Sequence, residues 1–132
     1  MKSSNQASIS AIILALGIIS GALGAHSLEN YLNTEQLSIW NKAVLYHLIH
    51  GLGLLIISII TKIYNNINLK WCFYLLFAGI ILFSGSLYLI ALNNGVFGEI
   101  QFLKKTLIPI TPIGGLCFIA GWILLAIKMK NT

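Results

Sequence analysis

The sequence has no arginine and no aspartate, and only three glutamates accompany its eight lysines. Charged residues make up 8% of the chain, against about 25% in a typical soluble domain. So few charges cannot cover a water-facing surface, which indicates a single membrane domain over residues 1–132. The lysines lie singly or in pairs beside apolar runs, so the net charge of +5 does not indicate a nucleic-acid-binding protein.

Carboxylates are also missing from the interior of the apolar runs. Proton-coupled export normally needs a carboxylate within the membrane, and the chain carries neither a hydrolase motif nor a phosphate-binding glycine loop. We therefore expect a protein that is not an enzyme and that holds no cofactor or metal. The two cysteines, Cys72 and Cys117, are predicted to lie at different depths, too far apart for a disulfide.

Four apolar runs dominate the chain, and each is close to the ~20 residues with which a helix crosses a bilayer. They cover approximately residues 8–28, 43–61, 71–92 and 112–127, with an alternative start of the second near Thr34. The sequence thus predicts an all-α integral membrane protein, a four-transmembrane-helix bundle. Five lysines on one side against three on the other predict that both termini are cytoplasmic. A signal peptide cleaved after Ala25 is the alternative reading of the first run.

Glycines recur where the helices are expected to touch. Small residues let helix backbones approach closely in lipid, where the hydrophobic drive for association is lost. Pro112 suits the first position of the fourth helix, because proline has no amide hydrogen to leave unpaired. The glycines that we expect to serve helix packing are Gly17, Gly21, Gly24, Gly85, Gly114, Gly115 and Gly121. The seam of the second helix that should face the bundle comprises Trp40, Ala43, His47, His50, Gly51, Leu54 and Ser58.

Three histidines are the candidate ligand-binding residues. His26 ends the first run, and His47 and His50 lie in the second. Antiparallel helices would bring all three into one layer of the outer leaflet. Imidazole binds zinc, copper or haem iron, but no acid or cysteine lies in the same layer of the spans. The alternatives are hydrogen bonding between helices, or contact with a lipid headgroup, a quinone or another small ligand.

Five motifs occur in a recognisable order along the chain. They are GALGAH (21–26), the series Trp40, Ala43, Tyr46 and His50, FSGSLY (83–88), TPIGG (111–115) and AGW (120–122). Together they resemble the small bacterial inner-membrane proteins of domain of unknown function 423, related to eukaryotic transmembrane protein 256. The resemblance implies four membrane helices and leaves the activity open. It also implies that a shared site would use His26, Tyr46 and His50, with His26 paired to His50 and His47 as a local addition.

The function that we expect is therefore non-enzymatic. The chain would be a multi-pass protein of the bacterial inner (plasma) membrane that binds lipids or partner membrane proteins through its small-residue helix faces and its histidine layer. A homo-oligomer is a further expectation. The alternatives are a small channel or carrier for an uncharged or lipid-like solute, and a haem- or metal-binding accessory to a redox complex.

Overall fold

The protein is described by a computed structural model that covers residues 3–64 and 67–130. Its helices are α1 (Ser3–His26), α2 (Thr34–Ile63), α3 (Lys70–Gly79), α4 (Gly85–Gly95) and α5 (Gln101–Lys130). A π-helical segment, Ile80–Ser84, joins α3 to α4, and the three pieces form one span. Four helices are long and apolar enough to cross a membrane, which confirms the predicted all-α, four-span class. The orientation of the termini stays a prediction, and Lys2, which contributed to it, lies outside the described residues.

The start of α2 is set by its cap. The Asn33 side chain accepts the backbone N–H of Gln36 at 2.9 Å, and the Gln36 side chain accepts the backbone N–H of Asn33 at 2.8 Å. This reciprocal capping box satisfies two amides that the first turn of a helix leaves unpaired. The helix therefore begins at Thr34, the earlier of the two starts considered.

The prediction that Pro112 begins the fourth helix is wrong. Pro109 and Pro112 both lie inside α5, which begins at Gln101 rather than at Pro112. Proline in a membrane helix is tolerated where neighbouring hydroxyls and helices satisfy the freed backbone groups. Between the two prolines, the Thr111 hydroxyl lies 3.2 Å from the Leu107 carbonyl and 2.7 Å from the Ser86 hydroxyl, so it links α5 to α4.

Glycines set the spacing of α1 against α2. Gly17 lies against Leu48 and His47, Gly21 against Val44 and Gly24 against Trp40. The indole N–H of Trp40 donates to the Ser20 carbonyl at 2.8 Å across this interface. The contacts run antiparallel, so the register of the helix pair is fixed along its length. The predicted seam of α2 is confirmed, since all its members are buried: Trp40, Ala43, His47, His50, Gly51, Leu54 and Ser58.

The third span also packs on α5 through close contacts at glycines. Gly121 faces Leu76, and Gly114 lies against the backbone of Leu82 and Phe83. Gly115 makes only ordinary contact with the Phe83 ring, 3.7 Å from where a Cβ would stand. Gly85 does not serve helix packing as predicted, because its nearest neighbour is the Ile80 carbonyl of its own span, 3.9 Å away.

The buried side-chain amide of Asn93 stabilises the connection between α4 and α5. The side chain of Asn93 is fully buried, and its Oδ1 accepts the backbone N–H of Ile100 at 3.0 Å. Its Nδ2 donates to the Ile100 carbonyl at 3.3 Å. Between them, Gly98 and Glu99 have positive φ angles of 74° and 57°. The Asn93 side chain thus holds a tight turn at the membrane surface.

Candidate functional site

The structure separates the three histidines instead of gathering them. His47 lies beside Gly17 of α1 and is buried, whereas His26 is exposed at the end of α1. At 1.5 Å per residue, His26 is roughly 13 Å along α1 from the level of His47. His50 lies one turn further away, so the expected pairing of His26 with His50 and the single layer of imidazoles are not formed. The physical reason is the register that Gly24 and Trp40 impose on the helix pair.

His50 is held by one backbone hydrogen bond and one aromatic contact. Its Nδ1 lies 2.7 Å from the Tyr46 carbonyl, one turn back along α2. A carbonyl can only accept, so Nδ1 carries the proton, and Nε2 of the neutral ring is left with a free lone pair. The ring stacks on Phe118 of α5, with centroids 3.4 Å apart and planes 12° from parallel. The two contacts fix both the tautomer and the orientation of the imidazole.

Beside this imidazole lies an apolar groove of about 470 Å³, which we name the His50 groove. It opens on the outside of the bundle, because Ile119 and Ile123 on its wall are 58% and 55% exposed. His50 itself is only 6% exposed. Within the described residues, the one hydrogen bond of its ring is that of Nδ1. The groove is lined by Tyr46, His50, Phe83, Gly115, Phe118, Ile119, Trp122 and Ile123.

The His50 groove lies near the middle of the spans. Lys42 and Lys62 flank the apolar part of α2, and His50 is roughly 12 Å and 18 Å from them along the axis. Phe83 and Phe118 likewise lie well inside their spans. The hydrocarbon core is about 30 Å thick, so lipid headgroups begin about 15 Å from its midplane. The imidazole is therefore a polar group at the depth of acyl chains.

The π-helical segment brings Phe83 to this groove. Its ring lies 4.6 Å from that of Tyr46 and 5.6 Å from that of Phe118. The wider turn, in which the Gly85 amide bonds to the Ile80 carbonyl, inserts one extra residue into the span. Such π-turns are rare and frequently lie at functional sites. Sequence reasoning missed the segment, because its apolar composition IILFS does not differ from that of an α-helix.

His47 lines a second groove, of about 540 Å³, between the third span and α5. Its Nδ1 lies 3.2 Å from the Tyr88 hydroxyl. Ser86, on the same wall, is paired with Thr111. His47 and Ser86 thus each have one hydrogen-bond partner on another span.

No cluster of three or more histidine, cysteine or acidic side chains lies close enough to hold a metal ion within residues 3–64 and 67–130. Cys72 and Cys117 are both free thiols. Among the residues singled out from the sequence, the structure brings Tyr46, His50 and Gly115 together at the His50 groove. It leaves His26 outside, and it places His47 in the second groove.

Comparison with known proteins agrees with this architecture. Residues 20–115 match the family described as protein of unknown function (DUF423). A UPF0382 membrane protein of Staphylococcus haemolyticus is 45% identical over 120 residues, which cover 91% of this chain and 90% of that protein. Another, of Staphylococcus saprophyticus, is 45% identical over 119 residues, covering 90% and 91%. No solved structure matches the chain. The chain is a multi-pass bacterial membrane protein, and it belongs to the DUF423 family.

Proposed function

We propose that this protein is non-enzymatic and binds a lipid-like small molecule in the His50 groove. The observation that carries the proposal is that His50 lines an apolar groove at acyl-chain depth, while no hydrogen bond within the described residues engages its Nε2. A polar group in hydrocarbon is costly unless it has a hydrogen-bond partner. A ligand that enters from the bilayer would supply the partner that the protein does not.

The size and lining of the groove support a small-molecule ligand. Ligand pockets are typically about 300–1,000 Å³ and mostly apolar, with a few placed polar groups. The His50 groove, at about 470 Å³, combines four aromatic residues with one imidazole. Its exposed wall gives a ligand lateral access from the membrane, without passage through water.

Partner binding through the small-residue faces has less support. Gly17, Gly21, Gly24, Gly114 and Gly121 lie against neighbouring helices of the same chain. These faces are therefore occupied inside the bundle. A homo-oligomer stays a prediction, and so does a carrier function.

One observation favours a second candidate, a haem- or metal-binding accessory. Imidazoles that ligate metal normally donate their other ring N–H to a carbonyl or carboxylate. The Nδ1 of His50 makes such a bond to the Tyr46 carbonyl. A haem at Nε2 would give the purified protein a Soret band, which a lipid-like ligand would not.

The proposal is tested by photolabelling in nanodiscs with a diazirine-bearing prenyl alcohol. We expect label on the groove wall around Ile119 and Ile123 that an excess of unlabelled prenyl alcohol removes. Label on the lipid-facing Ile18 and Ile19 of α1 should not compete, because annular lipid contact does not saturate. Equal, non-competing label on both faces would contradict the proposal.

Two tryptophan substitutions on α5 complete the test. Ile119→Trp fills the groove and should abolish the competing label. Leu116→Trp is the matched control, because Leu116 is 64% exposed and does not line the groove. It should leave the competing label unchanged. Loss of the label in both variants would also count against the groove.

A further inference from the structure

We propose that the ligand of the His50 groove is a hydroxylated aromatic lipid, a prenylated quinol, and that the protein prefers it to the corresponding quinone. This inference rests on the proposed function, because it specifies the ligand of the same groove. Three observations carry it: the tautomer of His50, the depth of the groove and its aromatic lining.

The tautomer decides which partner the imidazole can take. Nδ1–H is committed to the Tyr46 carbonyl at 2.7 Å, so the second nitrogen of a neutral ring can only accept. An imidazolium at this depth would be an isolated charge in hydrocarbon, which is strongly unfavourable. A ligand that bonds this nitrogen must therefore bring a donor. A hydroxyl supplies one, whereas the carbonyl groups of a quinone, an ester or a ketone do not.

The depth of the groove excludes phospholipid headgroups as the source of that donor. His50 lies roughly 12 Å from the level of Lys42 and further from that of Lys62. A charged headgroup at this level would lose its water without gaining a counter-ion from the groove lining. The donor must belong to a neutral molecule that is stable within the hydrocarbon core.

The lining selects for a flat ring beside the hydroxyl. Tyr46, Phe83, Phe118 and Trp122 present aromatic faces and edges around one imidazole. Aromatic pairs gain about 0.5–1.5 kcal/mol beyond their buried area when they stack or meet edge to face. Aliphatic Ile119 and Ile123 continue the groove and suit a prenyl tail. A quinol carries the ring, the hydroxyl and the tail in one neutral molecule.

The experiment compares four probes on the purified protein in nanodiscs under anaerobic conditions. They are a short-chain prenylated naphthoquinol, its quinone, the dimethyl ether of the quinol, and a prenyl alcohol of the same tail length. The ether keeps the ring and tail but has no donor. The alcohol keeps the donor and tail but has no ring. Affinities are read from displacement of the photoreactive prenyl alcohol.

We expect the quinol to bind about tenfold more tightly than the quinone and the ether, which corresponds to about 1.4 kcal/mol. The prenyl alcohol should bind more weakly than the quinol. Equal binding of quinol, quinone and ether would overturn the inference while leaving the proposed groove intact. Binding of the alcohol as tight as that of the quinol would overturn the aromatic part. Absence of binding by all four probes would instead overturn the proposed function.

Two variants test whether His50 is responsible for the preference for quinol over quinone and ether. His50→Phe keeps a ring beside Phe118 but has no acceptor, and it should bind quinol, quinone and ether alike. His47→Phe removes the other buried imidazole, which lies outside the His50 groove, and should retain the tenfold preference. A preference that persists in His50→Phe would overturn the assignment. If a variant does not fold, the comparison of the four probes on the unmodified protein still tests whether the ligand needs a hydrogen-bond donor and an aromatic ring.

Discussion

Gly114 and Gly115 are neighbours on α5, yet only one of them lies against the backbone of another span. A Cβ at Gly114 would stand 2.8 Å from the Leu82 carbonyl carbon and the Phe83 Cα, and nearer still to the Phe83 amide nitrogen. A Cβ at Gly115 would meet only the Phe83 ring, at 3.7 Å. The same substitution, Gly→Ala, should therefore have opposite effects at adjacent positions.

The cost of Gly114→Ala follows from the close contact that its methyl group would make with the backbone of Leu82 and Phe83. Carbon atoms pack best about 3.5–4.0 Å apart, so α5 must retreat by roughly 1 Å to admit the Gly114→Ala methyl group. Overpacking of this kind typically costs about 1–3 kcal/mol. A backbone cannot rotate away as a side chain can, which places the cost near the upper end. Replacing glycine by alanine within a helix returns about 1 kcal/mol. We expect Gly114→Ala to lower the free energy of unfolding by about 2 kcal/mol.

Gly115→Ala supplies the matched control. It gains the same helix preference without the clash, so its stability should be unchanged or raised by up to about 1 kcal/mol. Reversible unfolding in mixed micelles, followed by circular dichroism, gives the free energies of both variants. Equal stabilities of the two variants would refute the close approach of α5 to the π-helical segment.

Three further predictions concern polar groups outside the groove. Ser84 is fully buried, and its hydroxyl has no hydrogen-bond partner among residues 3–64 and 67–130, so Ser84→Ala should leave the free energy of unfolding unchanged or raise it by up to about 1 kcal/mol. Ser86→Ala should lower it by about 0.6 kcal/mol through loss of an interhelical hydrogen bond, and unfolding measurements compare the two variants. Asn93→Ala removes both hydrogen bonds between the buried Asn93 side chain and the Ile100 backbone and should cost about 1–3 kcal/mol, with faster amide hydrogen exchange in the following turn. The hydrogen bond from Lys104 at 2.7 Å lowers the pKa of the exposed Glu99 carboxyl, so Lys104→Ala should raise that pKa in a carboxyl NMR titration. A carboxyl whose pKa is lowered on folding stabilises the folded state at pH values above its unfolded-state pKa, and this stabilisation is lost as the pH falls through its folded-state pKa. Because Glu99 is exposed, unfolding curves should hardly change over this acidic range.

The number of spans was predictable because hydropathy reports transfer into lipid directly. The bundle-facing seam of α2 was predictable as well, since Trp40, His47, His50 and Ser58 leave only one face suitable for burial. The course of α5 through Pro109 was not, because the breaking tendency of proline is local. The packing of α5 depends partly on another helix, and the hydrogen bond between Ser86 of α4 and Thr111 is part of that contact.

Two residues of the candidate site were predictable from the sequence, but their arrangement was not. Tyr46 and His50 were singled out from the sequence, and both line the groove. The single layer of three histidines assumed that antiparallel helices align their ends, whereas the pairing of His26 with His50 came from the family resemblance. The actual register depends on which side chain faces each glycine, and with Gly24 against Trp40 the exposed His26 lies well away from the level of His50. Phe118 stacks on His50, but no feature of the sequence distinguishes it from the other apolar residues of α5.

The most direct test of ligand binding is native mass spectrometry of the protein released from nanodiscs that were formed from the producing membrane, without added ligand. We predict that the unmodified chain retains one small apolar molecule that Ile119→Trp does not. Bare chains from the unmodified protein, with the same spectrum for Ile119→Trp, would contradict a bound ligand in the His50 groove.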